Sequence, residues 1–271
     1  MNSADIYMME NLEESIRLEV KTDPVSVKKQ ATWCGVKPGM RVLDAGCGPG
    51  VTTSILHEMI QPDGEIMGID YSEDRINYAQ QKYGQNNGIY FEVHDIRDNM
   101  DHIGLFDLIW VRFVLEYNRK ESLDIVRNLT TYLKPGGRLC LLDLDHNGLN
   151  HYELPKNMER ILWQLVGRLE EEFNFDPYSG RKLYSYLYDT GYEDIRLEVV
   201  AHHLIYGDIK DEDLYNWLKK AEVVTLKAED LFTDYPGGHN AFFADFNSFF
   251  SDPRRFTYTP LTLSKGTKPV S

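Results

Sequence analysis

Apolar residues gather along the chain in short runs separated by stretches of amphipathic spacing. The runs "RVLDAG", "EIMGID", "IYFEVHD", "FDLIWVRFVL" and "GRLCLLDLD" have the length and side-chain character of buried strands. The segments between them are long enough for crossover helices, and that alternation predicts an α/β protein with a parallel sheet covered on both faces. Two spacers carry their own boundaries. "SEDRINYAQQKYG" offers Ser72 as an N-cap and Gly84 as a C-cap. "ESLDIVRNLTTYLKPGG" reads as a helix stopped by Pro135, with the Pro-Gly pair turning the chain into the next strand. Neither an internal repeat nor a low-complexity tract interrupts the pattern.

In an open parallel sheet, ligands bind beyond the carboxyl ends of the strands where the strand order reverses, so candidate chemistry is sought there. The first strand leads into Gly46, Gly48 and Gly50 within "RVLDAGCGPGVTTSILHEM". Glycine lets a ligand approach the backbone, and the amides opening the following helix suit a carboxylate or phosphate. Asp44, at the same strand end, serves either the loop amides or a ligand ammonium. The second strand ends at Asp70, placed to accept hydrogen bonds from ribose hydroxyls. Past the third stands Asp95, whose carboxylate suits the exocyclic amine of an adenine. Arg112 and Glu116 follow the fourth strand and read as an ion pair or as substrate contacts.

Composition narrows the partners. A chain of 271 residues with 42% hydrophobic content can bury a full core as one large domain, with or without a cap. No apolar run approaches the roughly 20 residues of a membrane helix, and the acidic N-terminus lacks a signal pattern, so a cytoplasmic location is expected. With 29 basic against 43 acidic residues, the net charge of −14 has the wrong sign for attraction to a phosphate backbone, which argues against nucleic acid. Cys34, Cys47 and Cys140 are too few and scattered for a disulfide framework or a CxxC zinc site; reduced thiols and no metal are expected.

The glycine spacing separates two cofactor classes. A dinucleotide fingerprint, GxGxxG, needs glycine at position 51, where Val51 stands. The string DxGxGxG from Asp44 to Gly50 instead resembles the first motif of class I S-adenosylmethionine-dependent methyltransferases. The resemblance continues through "GIDYS", "HDIRD", "FDLIWVRFVLEY" and "LKPGGRLCLLD", over about residues 36–145. It implies a seven-stranded, Rossmann-like doubly wound sheet, mostly parallel, with an antiparallel last strand inserted beside the fifth. It also implies S-adenosylmethionine as cofactor, contacted by Asp44, Gly46, Cys47, Gly48, Gly50, Asp70, Tyr71, Asp95, Ile96 and Arg112.

Outside that core, "YMMENLEESIRLE" is similar to the leading segment of small-molecule methyltransferases of the ubiquinone and menaquinone biosynthetic group. There an N-terminal helix covers the cofactor, which would bring Tyr7 and Arg17 to it. "SGRKLYSYLYDTGYEDIRLEVV" resembles that group's penultimate helix and strand, and "FTYTPLTLSKGTKP" its closing strand. The implied layout is a single domain over 1–271. A helical cap spans 1–35, a cofactor-binding core 36–206, an aromatic-rich helical insertion over the substrate mouth 207–253, and a closing strand with tail 254–271.

The expected reaction, methyl transfer to a small-molecule acceptor by in-line displacement, asks mainly for positioning and exclusion of water, because a sulfonium methyl is already activated. A base is needed only when the acceptor carries a proton at attack. His146, just past the fifth strand, is either a solvated loop residue or that base. His202 and His203 are adjacent on a strand, so they should point to opposite faces and build no metal site. A non-catalytic binder of cofactor or protein is the alternative, and a nicotinamide-dependent oxidoreductase is disfavoured by Val51 and Asp95. The acceptor, the atom methylated and the oligomeric state are not written in the sequence.

Overall fold

The computed structural model describes residues 17–19, 21–226 and 228–270. Five parallel strands form the centre: β1 (Arg41–Ala45), β2 (Glu65–Asp70), β3 (Ile89–Val93), β4 (Phe106–Arg112) and β5 (Leu133–Leu144). A two-residue strand β6 (His151–Tyr152), then β7 (Glu193–Tyr206) and β8 (Phe256–Thr267), complete the sheet. The order runs β3-β2-β1-β4-β5-β8, and β8 also pairs antiparallel with β6 and β7. The expected antiparallel strand beside the fifth is therefore β8. The expected count of seven becomes eight through β6, whose His151 and Tyr152 pair with Thr257 and Phe256.

Strand alternation sorts the apolar side chains to two faces. Val42, Leu108 and Trp110 pack against α1 (Pro24–Cys34) and α2 (Val51–Ile60). Their chain neighbours Leu43, Ile109 and Val111 pack against α4 (Ser122–Thr131) on the other side, after α3 (Glu73–Tyr83) in the chain. Burying both faces explains why the strands read as continuous apolar runs. Ser72 and Gly84 do cap α3, although the Ser72 side chain makes no capping bond. Pro135 does not stop α4, which ends at Thr131. Tyr132 is buried there, its hydroxyl accepting the Met100 amide at 2.8 Å, and β5 already begins at Leu133. The Pro-Gly excursion appears as a shift in the β4–β5 register between Phe106 and Leu108.

A third cluster lies apart from both faces. α5 (Lys156–Glu172), α7 (Asp211–Leu226) and α8 (Gly238–Ser251) enclose Ile161, Leu165, Trp217, Phe242, Phe246 and Phe250. The helix α6 (Leu183–Asp189) packs on the sheet through Leu183 and Leu187. The aromatic segment 207–253 thus shares its core with α5, which comes from an earlier part of the chain.

Neighbouring His202 and His203 do not diverge. The β7–β8 register shifts between Ala201 and His203, which face Pro260 and Thr259, so two residues of β7 span one of β8. Such a bulge breaks the alternation, and the two rings sit 4.3 Å apart.

Candidate functional site

The strand order lays out the candidate residues in sequence along one edge: Asp95 after β3, Asp70 ending β2, the glycine loop after β1, Arg112 and Glu116 at and after β4, Asn147 after β5. All line a cleft of about 360 Å³ that continues into the third apolar cluster.

The loop's three glycines have different reasons. Gly48 has φ +56°, and a Cβ built there meets nothing within 4 Å. A Cβ on Gly46 would fall 2.4 Å from Val114 Cγ2, and one on Gly50 would fall 2.8 Å from Ala79 Cβ and 2.9 Å from Phe91. Gly46 also lines the cleft, whereas Gly50, the N-cap of α2, does not. Packing against Ala79 and Phe91 is by itself enough to require glycine at position 50. Gly48 leaves open space and owes its identity to backbone geometry and to whatever fills the cleft.

Asp70 anchors this loop. Its Oδ2 accepts the Gly48 amide at 2.9 Å and its Oδ1 the Ser72 amide at 3.0 Å, while Arg75 Nη1 lies 3.6 Å away. Tyr71 follows, partly exposed in the cleft wall, with the Arg75 guanidinium 5.9 Å from its ring. Asp95 also lines the cleft, but Arg97 grips both of its oxygens and holds its carboxyl below the usual range. An adenine amine would share that carboxylate with Arg97. Ile96 is buried in the wall beside it.

Asp44 is buried, with Thr53 Oγ1 donating to its Oδ2 at 2.6 Å. Burial pushes its pKa to about 7, against the pull of Thr53 and the Arg112 charge. Arg112 is drawn down to about 10 by its own burial, while Asp44 and Asp143 resist. It donates to Gln30 Oε1 at 3.2 Å and lies over the Phe113 ring at 4.1 Å. Cys47 lines the cleft with its thiol pKa raised by burial, as suits a packing residue. Arg17 reaches the cleft wall; Tyr7 lies outside the described residues.

The bonds around Glu116 and His146 depart from the sequence reading. Glu116 Oε2 accepts from Asn147 Nδ2 at 2.8 Å, and its backbone amide donates to Asp143 Oδ2 at 3.0 Å. Asp143 is buried at the end of β5, and burial together with the Glu116 charge raises its carboxyl well above the usual range. His146 is not in the cleft wall. Its backbone is left-handed (φ 53°), and its ring meets Tyr178 and Trp163 edge-on at 5.1 and 6.2 Å. The polar groups at this point are Glu116 and Asn147; "LLDLDHN" held the signal, but one residue beyond the histidine. The bulge also puts His202 in the wall, its ring 4.9 Å from Phe113. Leu162, Leu165, Val166, Trp217, Phe242 and Phe246 give the far end an apolar lining.

Residues 36–222 match the family described as "Methyltransferase domain". The ubiquinone/menaquinone biosynthesis C-methyltransferase of Vibrio parahaemolyticus is 31% identical over 153 residues, covering 55% of this chain and 58% of that protein. A demethylmenaquinone methyltransferase of Lactococcus lactis is 28% identical over 165 residues, covering 56% and 65%. The match therefore spans less than two thirds of either relative. In fold, the chain is similar to a putative methyltransferase of Bacillus halodurans, with a TM-score of 0.58 at 14% identity, covering 90% of this chain and 99% of that one. A phosphoethanolamine N-methyltransferase of Haemonchus contortus, solved with S-adenosyl-L-methionine, gives 0.55 at 15%, covering 90% and 52%.

Proposed function

Because the chain belongs to the methyltransferase domain family, we propose that its cleft binds S-adenosylmethionine and directs methyl transfer to a small-molecule acceptor lodged against the apolar end. The observation that carries this reading is Gly48: a left-handed residue facing open space, its amide fixed by the buried Asp70. That cradle fits a ligand that meets the backbone closely. When bound, the cofactor supplies a sulfonium-activated methyl group.

The chain's own groups divide the remaining work. Asp70 binds the ribose hydroxyls, the Asp95–Ile96 wall flanks the base, and Asp44 pairs with the methionine ammonium. Leu162, Leu165, Trp217, Phe242 and Phe246 hold an apolar acceptor body and exclude water. Glu116, hydrogen-bonded by Asn147 and backed by Asp143, is the group in the wall suited to accept a proton from an acceptor hydroxyl or amine. Among the described residues, no helix is long and apolar enough to cross a membrane.

Calorimetric titration with S-adenosylmethionine, followed by transfer of labelled methyl into a metabolite extract, tests the reading; nicotinamide binding in its place would overturn it. Asp70→Ala should weaken the cofactor complex roughly 10- to 150-fold, matching loss of charge-assisted hydrogen bonds of about 1.5–3 kcal/mol. An unchanged dissociation constant removes Asp70 from the binding groups.

Asp44 adds a pH dependence. With its pKa at about 7, much of it is protonated at neutral pH before binding. An ammonium partner favours the charged form, so binding releases a proton, and affinity should rise as pH climbs toward 7 and fall again above about 8, where the ligand's α-amino group loses its own proton. Asp44→Asn should lose that rise. Equal pH profiles for the two proteins would show that Asp44 serves only the loop.

A further inference from the structure

We propose that Glu92, His94 and His102 form a binding site for one zinc ion at the outer edge of the sheet, beside the cleft but built from groups with no assigned part in methyl transfer. β3 is the edge strand, and positions two apart in an extended segment share a face, so Glu92 and His94 project together. The chain then passes Asp95 and returns through a 3₁₀ turn, Asp101–Ile103, which brings His102 back onto Glu92. His102 Nε2 lies 2.6 Å from Glu92 Oε1, and His94 Nδ1 lies 3.7 Å from the same oxygen. The three donor atoms all lie within 4.8 Å of one another. The two rings are tilted by 53° with centroids 5.5 Å apart.

Two imidazoles and one carboxylate form a donor set that zinc accepts with a fourth position left to water, and that the oxygen-seeking calcium and magnesium do not favour. With bonds of about 2.0–2.1 Å, tetrahedral ligands sit roughly 3.3 Å apart. His102 therefore has to retreat from Glu92 by about 0.7 Å to admit an ion at that spacing, a side-chain adjustment open to a residue whose side chain is 54% exposed. A second observation concerns the inner ring. His94 Nε2 is buried without a hydrogen-bond partner among the described residues, although His94 lines the cleft. Metal at Nδ1 would put the ring's proton on Nε2, so the ion, rather than a protein acceptor, would hold the ring. The ion would thereby pin the 101–103 turn to β3 and steady the segment that carries Asp95 and Ile96.

The test uses tag-free, chelator-treated full-length protein with zinc chloride alone in calorimetry and with Co²⁺ for the visible absorption of a tetrahedral site. One ion per chain is expected, with a rise in Tm on adding zinc. His102→Ala removes a half-exposed side chain, so the variant should fold. It should lose the Tm rise and weaken zinc by at least the roughly 10- to 100-fold typical of losing a metal-supporting group. Glu92→Gln should do the same. Absence of saturable binding in the wild type, or wild-type binding by folded His102→Ala, overturns the site. Neither outcome depends on cofactor or acceptor.

Discussion

Gly48→Val should give a folded protein that no longer binds S-adenosylmethionine. The left-handed backbone at Gly48 costs a side chain about 1–2 kcal/mol, with a further penalty for β-branching. The total remains small against a domain stability of roughly 5–15 kcal/mol. Nothing lies within 4 Å of the new Cβ, so the core is not disturbed. The valine instead occupies the space left beside an amide that Asp70 holds in place. Gly46→Ala and Gly50→Ala are the contrasting controls, because their Cβ atoms would collide with Val114 and with Ala79 and Phe91. Those two should lose Tm, whereas Gly48→Val should lose binding. Thermal melts and calorimetry on all three decide the matter; a folded Gly48→Val with wild-type affinity would reduce the loop to a turn.

Glu116→Gln should slow methyl transfer by about 100-fold or more while cofactor affinity stays near wild type, a typical loss for a general base. The substitution keeps the side chain's length and an oxygen that can still accept from Asn147. What disappears is the capacity to take up a proton. Asp143 lies buried beside Glu116, and burial together with the Glu116 charge pushes it toward its neutral form. Single-turnover measurements on an acceptor identified by labelled methyl transfer, repeated across pH, separate chemistry from binding. A Gln variant that matches wild type at every pH leaves positioning alone as the contribution of this wall.

The central strands, the glycine loop and the acids at the ends of β1, β2 and β3 were legible because each is written locally: an apolar run, then a polar residue where the run stops. What depends on distant partners was not. Gly48 and Gly50 look alike in sequence and differ only because Phe91 and Ala79 pack beside one of them. The neighbours His202 and His203 stay close because β7 carries one residue more than β8 at that point, a register that β7 alone does not encode. α5 reads as an ordinary amphipathic helix, and its part in the apolar end of the cleft emerges only when Trp217 and Phe242 arrive from much later in the chain. The Arg97 grip on Asp95 is local, two residues apart in "HDIRD", and so is legible in the sequence. His146 stands just past the fifth strand, as its position in "LLDLDHN" implies, but its left-handed backbone and the Asn147–Glu116 bond depend on contacts that the strand pattern does not encode.

The position of β8 sets an order on biosynthesis. It is paired with β5 on one side and with β6 and β7 on the other, yet it follows all of them in the chain. About 110 residues separate the end of β5 from the start of β8, so a ribosome adding roughly 5–20 residues per second needs on the order of 6 to 20 s to deliver the missing strand. During that interval the β5 edge presents unpaired amides and carbonyls flanked by the apolar side chains of Leu139, Leu141 and Leu142. The nascent chain must therefore carry an unsealed sheet through the synthesis of the helices that enclose the third apolar cluster, a window in which chaperone capture or pairing with another nascent chain competes with completion of the fold.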